Sequence, residues 1–264
     1  MNRILEIKLG NVLISLLEAE PGHEKELHRW YERDHFFSGC MIGANFFSGR
    51  RYVATRKLKA MRFPTHSAIT EDISKGSFLT MYWMLDGQYD QTLEWSIKQV
   101  NQLHNQKRMG PAKLNVSSGF YHYEWGRFRD DDGVPAELAL EHPFKGVSIS
   151  YLDSREGISQ ETFKAECGKA LDVAQAGSAC SMSLCLQTLP LPDSVPSYVP
   201  RTTERTLRKR HLILHFFQDD PAECWSEFME TFSSTFEKSN CANIVLAAPF
   251  IPTIPGTDAY IDQL

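Results

Sequence analysis

Apolar and polar residues alternate in some segments of the chain and recur at helical spacing in others. The alternating segments predict strands over residues 11–18, 43–55, 77–85 and 117–128. Helical spacing predicts helices over residues 22–36 and 88–106. The order is strand, helix, strand, strand, helix, strand, which is the ferredoxin-like arrangement.

The same order returns after a linker rich in charged and turn-forming residues. Strands are predicted over 146–152, 178–188, 210–217 and 243–249, and helices over 158–175 and 220–238. Residues 90–96 and 220–226 each keep an Asp, a Trp and a Ser at one offset of 130 residues. We therefore predict an α+β fold of two tandem βαββαβ repeats that form an intramolecular pseudo-dimer with sheets packed face to face.

The predicted division of the chain follows from these repeats. Residues 1–130 form the first repeat, which carries the active site, 131–145 form the linker, and 146–264 form a degenerate, structural second repeat. The Pro-rich segment 189–200 predicts a long loop over a cavity mouth, because Pro disfavours central strands and helices.

Composition excludes several kinds of partner. The chain has 264 residues, 42% of them apolar, and a formal charge of −5 with a pI near 6.0. This charge argues against nucleic acid or an anionic membrane as the main partner, and favours a small uncharged or aromatic ligand. The N-terminus shows neither a signal-peptide core nor a spanning segment, so we expect a cytoplasmic protein, with a homodimer left open.

Known cofactor and metal motifs are missing from the sequence. The six cysteines are scattered without a CxxC pair, which predicts neither a zinc site nor a disulfide framework. GxGxxG, GxxxxGK[ST], GxSxG and HExxH are also absent. We expect a reaction that uses acid–base groups and the electronic properties of the substrate, with no cofactor and no metal.

The hexapeptide Trp30–His35 is the strongest indication of a site. On a helix, Asp34 and His35 follow Trp30 and Tyr31 at i+4, where an apolar stripe would otherwise continue. A carboxylate and an imidazole in such a position are costly unless they are paired or used. His35 is therefore a candidate general base assisted by Tyr31, or a structural histidine that ties the helix to the sheet.

A helix that ends in Trp-Tyr-x-x-x-His after a strand resembles the EthD-like branch of the dimeric α/β-barrel superfamily. Members often have a proline shortly after the histidine, where this chain has Phe36-Phe37-Ser38. The resemblance implies cofactor-independent chemistry in an aromatic-lined pocket between sheet and helices, with a His or Tyr that handles a proton. The superfamily also contains cofactorless monooxygenases and haem-degrading proteins, so the fold alone does not choose a reaction.

The aromatic strand offers a second catalytic candidate, His122. Alternation puts Phe120, His122 and Glu124 on one face, and Tyr121, Tyr123 and Trp125 on the other. Glu124 would then orient the His122 imidazole, although the pair could equally be exposed or lie between the sheets.

Other side chains are candidates for binding substrate. Tyr82 shares a strand face with Met84, and Arg51 could hold a phenolate or carboxylate. The substrate-binding candidates are Trp30, Asp34, Arg51, Tyr82 and Tyr123. At the offset of 130 residues, His211 and His215 share the face of Met81 and Trp83. If that face lies between the sheets, these histidines are structural or line a second cavity.

The leading hypothesis from the sequence is a cofactor-independent lyase or isomerase that acts on a phenolic, lignin-type or polyketide-like molecule through His35. The alternatives are a cofactorless monooxygenase and a non-catalytic ligand- or haem-binding protein.

Overall fold

The computed structural model describes residues 7–191, 195 and 203–264. The strands are β1 (Leu9–Ala19), β2 (Phe46–Val53), β3 (Phe78–Leu85), β4 (Lys113–Phe128), β5 (Gly146–Ser154), β6 (Cys180–Thr188), β7 (Arg210–Phe217) and β8 (Ala242–Pro252). The helices are α1 (Glu24–Trp30), α2 (Arg56–Ala60), α3 (Tyr89–Asn105), α4 (Gln160–Gln175), α5 (Glu204–Lys209) and α6 (Pro221–Ser239). After α1 the chain continues in π-helical turns over Tyr31–His35 and Phe37–Met41.

The eight strands close into an antiparallel barrel in the order β1-β3-β2-β8-β5-β7-β6-β4. Strands β1 to β4 make a first half-sheet and β5 to β8 a second, each with the strand order of a ferredoxin-like unit. The half-sheets join where Tyr52 and Val53 of β2 pair with β8, and along a longer β4–β6 ladder. The predicted fold of two ferredoxin-like repeats in an intramolecular dimeric α/β-barrel is confirmed.

Alternation along the strands separates three layers of packing. The inner faces of both half-sheets form the barrel core, with Ile14, Trp83 and Leu214 among its buried residues. The outer faces pack against helices, which gives a first helix layer on the first half-sheet and a second helix layer on the second. As alternation predicts, Tyr82 lies in the first helix layer and Met81 in the barrel core.

The segment between the half-sheets covers one part of the barrel core. Ala136 and Phe144 are buried in it, and the indole Nε1 of Trp83 donates a hydrogen bond of 2.8 Å to the Ala136 carbonyl. The C-terminal segment returns to the first helix layer, where His28 Nε2 lies 2.8 Å from the Thr257 carbonyl oxygen. Both ends of the second repeat are thus tied to the first.

Several predicted boundaries and faces differ from the structure. The first helix extends to Met41 rather than ending at 36, and β4 begins at Lys113 rather than 117. Most of the predicted Pro-rich loop, at 192–194 and 196–200, lies outside the described residues. No helix among the described residues is long and apolar enough to cross a membrane.

The expected correspondence of His211 and His215 to the face of Met81 and Trp83 is wrong. In β7 the residues in the barrel core are Leu212, Leu214 and Phe216. The two histidines pack against Phe163 and Phe228 in the second helix layer. The core-facing positions have odd numbers in β3 and even numbers in β7, so an even offset of 130 residues assigns β7 side chains to the wrong face.

Candidate active site

A cavity of about 190 Å³ lies in the first helix layer, between the outer face of the first half-sheet and the helices that cover it. The π-helical segment, α3 and strands β1 and β4 supply its walls. The lining side chains are mainly apolar. They include Leu13, Leu17, Trp30, Tyr31, His35, Cys40, Tyr82, Ile97, Val100, Met109, Lys113, Asn115, Ser118, Phe120, Leu191 and Val195.

The π-helical turns set the geometry of the Trp30–His35 hexapeptide. The Phe36 amide bonds to the Tyr31 carbonyl, and the Ile42 amide to the Phe37 carbonyl at 3.1 Å, so these turns close at i+5. As a result His35 stacks on Trp30, with ring centroids 4.5 Å apart at an interplanar angle of 21°. It also meets Tyr31 edge-on, with centroids 5.2 Å apart. Trp30 and His35 are five residues apart, so the i+4 spacing of an α-helix does not predict that their rings stack.

His35 combines burial with an unused hydrogen-bonding atom. Its Nδ1 is buried and has no hydrogen-bond partner. Burial, reinforced by the positive charge of Lys113, lowers the pKa of His35 to about 4, so the imidazole is neutral at pH 7. An unsatisfied buried polar atom costs about 1–3 kcal/mol, and in native proteins such atoms are uncommon. A nitrogen of this kind beside a cavity is suited to accept a proton from a bound molecule.

Trp30 is held in place from three directions. Its Nε1 donates a hydrogen bond of 3.1 Å to the Arg108 carbonyl, and the Nζ of Lys113 lies 4.6 Å from the centroid of its ring. Gly110 adopts a φ of +76°, and a Cβ there would lie 2.3 Å from the indole. The loop between α3 and β4 therefore fixes the surface on which His35 stacks.

Lys113, at the start of β4, is a lining residue that the sequence did not single out. Its Nζ donates to the Met109 carbonyl at 2.6 Å and the Pro111 carbonyl at 3.3 Å. Burial lowers its pKa. The predicted strand begins four residues later, so it does not include Lys113. It gives the cavity a cation that can stabilise an anionic ligand.

Tyr31 and Tyr82 both line the cavity. Their hydroxyl oxygens are 3.4 Å apart, and burial raises the pKa of each phenol. Burial also raises the pKa of the Cys40 thiol to about 12. Both tyrosines are therefore neutral at pH 7, and Cys40 is not a thiolate nucleophile.

Asp34 and Arg51 lie outside the residues that line the cavity. Asp34 forms an ion pair with Arg108, which ties the helical segment to the loop after α3 and keeps the pKa of the carboxyl low. Arg51 is buried behind Tyr31, with its guanidinium carbon 5.0 Å from the Tyr31 ring centroid and its Nη1 3.7 Å from Glu32. These positions suit a supporting role rather than the direct substrate contact expected from the sequence.

His122 and Tyr123 are also separated from this cavity. Both line a different surface depression, with Asp86 and Glu137, and His122 is exposed. A β-bulge between Tyr123 and Trp125 breaks the predicted alternation, so Trp125 packs in the second helix layer and not on the face of Tyr121. The structure brings His35, Tyr31, Trp30 and Tyr82 together, and leaves His122 and Tyr123 apart from them.

Comparison with known proteins identifies the fold. No protein-family model and no curated protein sequence matches the chain. An anthrone oxidase-like structure superposes with a TM-score of 0.56 and 6% identity, covering 94% of this chain and 92% of its own. The encapsulated DyP-type peroxidase from Mycobacterium smegmatis gives 0.52 and 10% identity, with 95% of each chain covered. These proteins share the dimeric α/β-barrel fold, and the similarity does not single out the EthD-like branch.

A haem, which the sequence left open as a ligand, does not fit the surroundings of His35 or of His215. The cavity beside His35 is smaller than the roughly 300–1,000 Å³ of sites for drug-sized ligands, and a haem exceeds such ligands in size. In the second helix layer, both nitrogens of His215 are engaged, with Ser183 Oγ at 2.9 Å and Ser150 Oγ at 3.1 Å. His215 therefore has no free nitrogen for an axial bond.

Proposed function

We propose that this protein is a cofactor-independent enzyme that binds a small phenolic molecule in the first-layer cavity and removes a proton from it with His35. Two observations about His35 carry the proposal: it lines an apolar cavity, and its buried Nδ1 has no hydrogen-bond partner. The resemblance of Trp30–His35 to the EthD-like motif supports the same site.

The cavity volume limits the substrate class. An apolar cavity of about 150 Å³ is sufficient to bind benzene, so about 190 Å³ accommodates one substituted aromatic ring. Trp30, Tyr31 and Phe120 provide aromatic walls, and Lys113 provides the cation. A single-ring phenol fits this lining better than the larger lignin-type dimers or polyketides considered from the sequence.

Proton transfer creates charges that the cavity can stabilise. When the neutral imidazole takes the proton, an imidazolium and a substrate anion form side by side. The Lys113 ammonium stabilises the anion, although it disfavours the imidazolium. Opposite charges in a water-poor site attract more strongly than in bulk water. The Trp30 ring, stacked on His35 at 4.5 Å, also stabilises the imidazolium through its π face.

We favour oxidation by molecular oxygen over the elimination or isomerisation that the sequence suggested first. A phenolate is electron-rich and can reduce oxygen without a cofactor. In a balanced reaction, phenol and O₂ give a quinone and water, with one oxygen atom entering the ring. The anthrone oxidase-like neighbour supports this preference, although at 6% identity the similarity itself reaches only the fold.

The test is oxygen uptake with a panel of single-ring phenols, followed by mass spectrometry of products formed under ¹⁸O₂. Wild type is compared with His35→Gln, and with His122→Gln as a control at an exposed histidine outside the cavity. We expect uptake in wild type and in His122→Gln, label in the product, and loss of both in His35→Gln. Because His35 must be neutral, kcat/KM should fall at acid pH with a pKa of about 4.

Other results would point elsewhere. Product formed without oxygen, and lost in His35→Gln, would establish the lyase or isomerase hypothesis instead. Ligand binding without turnover would identify a carrier, and full activity in His35→Gln would refute the assignment of the base.

A further inference from the structure

A second group of reactive side chains lies on the opposite half of the barrel. Glu124 of β4, Cys185 of β6 and His211 of β7 each offer a ligand atom, and these atoms all lie within 4.8 Å of one another. The group spans the β4–β6 seam on the side of the second helix layer, and none of its residues lines the cavity beside His35. It plays no part in the proposed oxidation.

The β-bulge in β4 creates this group. Tyr123 pairs with Leu186 and Trp125 with Cys185, which leaves Glu124 as the extra residue of the bulged strand. A regular strand would alternate at this point, whereas the bulge allows Glu124 and Trp125 to lie on the helix-facing side together. Glu124 is thereby brought next to Cys185 and, one strand further, next to His211.

His211 shows the strongest sign that a ligand is needed. Its side chain is 1% exposed, and its Nδ1 has no hydrogen-bond partner. That nitrogen is directed at Glu124, with 3.7 Å between Nδ1 and Oε2. The ring is held flat against Phe163, with centroids 3.9 Å apart, so its direction is fixed by packing.

We propose that Glu124, Cys185 and His211 form a binding site for a divalent transition-metal ion of the zinc type, with a fourth position open to water. A thiolate, an imidazole and a carboxylate are ligands that Zn²⁺ prefers, at bond lengths of about 2.0–2.3 Å. Such bonds place ligand atoms roughly 3.3–3.8 Å apart in a tetrahedron. For a nitrogen and an oxygen ligand the separation lies at the lower end, about 3.3 Å. The 3.7 Å between Nδ1 and Oε2 and the remaining separations therefore require small side-chain adjustments to close around an ion.

The charge of the three ligands and the exposure of the site to solvent are both compatible with a bound metal ion. A thiolate and a carboxylate together balance a divalent cation, so the occupied site is neutral and suits a largely buried position. Glu124 is 26% exposed, which gives the ion a route from solvent. Burial raises the pKa of the Cys185 thiol, and a bound cation reverses this effect by favouring the thiolate.

The test uses Co²⁺ as a spectroscopic probe on the full chain, stripped of metal with a chelator and kept reduced with a phosphine. We expect one equivalent to bind, with a thiolate-to-cobalt charge-transfer band that Zn²⁺ abolishes by displacement. Cys185→Ser should remove the band. Cys224→Ser, at a half-exposed cysteine in α6, should leave it unchanged.

Glu124→Gln provides a variant that does not disturb a buried side chain. It should retain the band and weaken Co²⁺ binding at least about tenfold, because a charged ligand is lost. Absence of a charge-transfer band in wild type would overturn the proposal, as would a band that survives in Cys185→Ser. If Cys185→Ser does not fold, an unchanged affinity in Glu124→Gln would overturn it. None of these results depends on the activity proposed for His35.

Discussion

The first helix layer encloses a cavity, whereas the second helix layer is filled by aromatic side chains. Phe228, Phe232 and Phe236 form a stacked row along α6, next to Trp225 and Phe163. The first long helical segment of each repeat also differs between the two layers. The first contains π-helical turns that present His35, and α4 is α-helical throughout Gln160–Gln175.

One histidine from each layer, His35 and His215, shows what the difference means for function. Burial lowers the pKa of His35 to about 4 and that of His215 to about 3, so both are neutral at pH 7. His215 uses both nitrogens on the hydroxyls of Ser183 and Ser150. His35 keeps Nδ1 unpaired beside a cavity. A shifted pKa is therefore common to both layers, and the unpaired nitrogen beside a cavity is what marks a reactive site.

Exchanging each histidine for leucine should separate the two roles. His35→Leu should lower kcat/KM by about 10²–10⁴-fold, the usual contribution of general base catalysis, without loss of stability. His215→Leu should leave activity in place and lower the free energy of unfolding by about 1–3 kcal/mol, because two buried hydroxyls lose a partner. Oxygen uptake and urea denaturation measure the two effects. Equal effects in both variants would contradict the distinction.

Truncating one phenylalanine in each layer tests the difference in packing. Phe232→Ala should lower the free energy of unfolding by about 3–5 kcal/mol, because a closely packed ring is replaced by a cavity. Phe120→Ala should cost less, because one side of that ring already faces the first-layer cavity. Urea denaturation of the two variants gives the comparison. A larger cost at Phe120 would show that the first layer is packed as closely as the second.

Acid pH should destabilise the fold through His35. The pKa is about 4 in the folded chain and about 6.5 in the unfolded chain, so the unfolded state binds more protons between these values. The free energy of unfolding therefore falls as pH is lowered through this window. Between pH 6.5 and about 4.5, wild type should lose about 2 kcal/mol relative to His35→Gln, with His215 present in both. Parallel pH profiles would refute the burial of His35.

Two glycines with positive φ test the support of Trp30. Gly110 (φ +76°) lies against the indole, whereas Gly177 (φ +71°), after α4, has open space where a Cβ would stand, with no atom within 4 Å. Alanine at either position strains the backbone at a cost of about 1 kcal/mol. Only Gly110→Ala should displace Trp30 and thereby lower kcat/KM. Equal kinetics in the two variants would mean that Trp30 does not position His35.

The regular parts of the fold could be predicted because they follow periodicity. Alternation in 77–85 placed Tyr82 and Met81 on their correct faces, and the repeated element order gave the barrel. The faces of β7 could not be placed, because its core-facing positions are even-numbered whereas those of β3 are odd-numbered, which the even offset of 130 residues does not reproduce. The bulge at Glu124 was missed for a similar reason, since it depends on pairing with β6, which is distant in sequence.

The candidate site was predicted in its residue types and only partly in its geometry. The unusual sequence Trp30–His35 identified His35 and Tyr31. The π-helical turn that stacks His35 on Trp30 is not marked by any residue pattern in the sequence. Lys113 was missed because strand ends are poorly marked by alternation. The Glu124, Cys185 and His211 group draws on three strands, so no local spacing motif could reveal it.

The joining of both half-sheets in one chain has a consequence for how the two layers change. In a barrel built from two identical chains, each substitution appears twice, so a side chain that fills one layer fills the other as well. Here the β2–β8 and β4–β6 seams lie within a single polypeptide. A substitution therefore changes only one of the two layers, because no symmetry repeats it in the other. One layer can therefore contain an open cavity with an unpaired histidine nitrogen. Close packing in the other layer offsets the stability that this cavity costs.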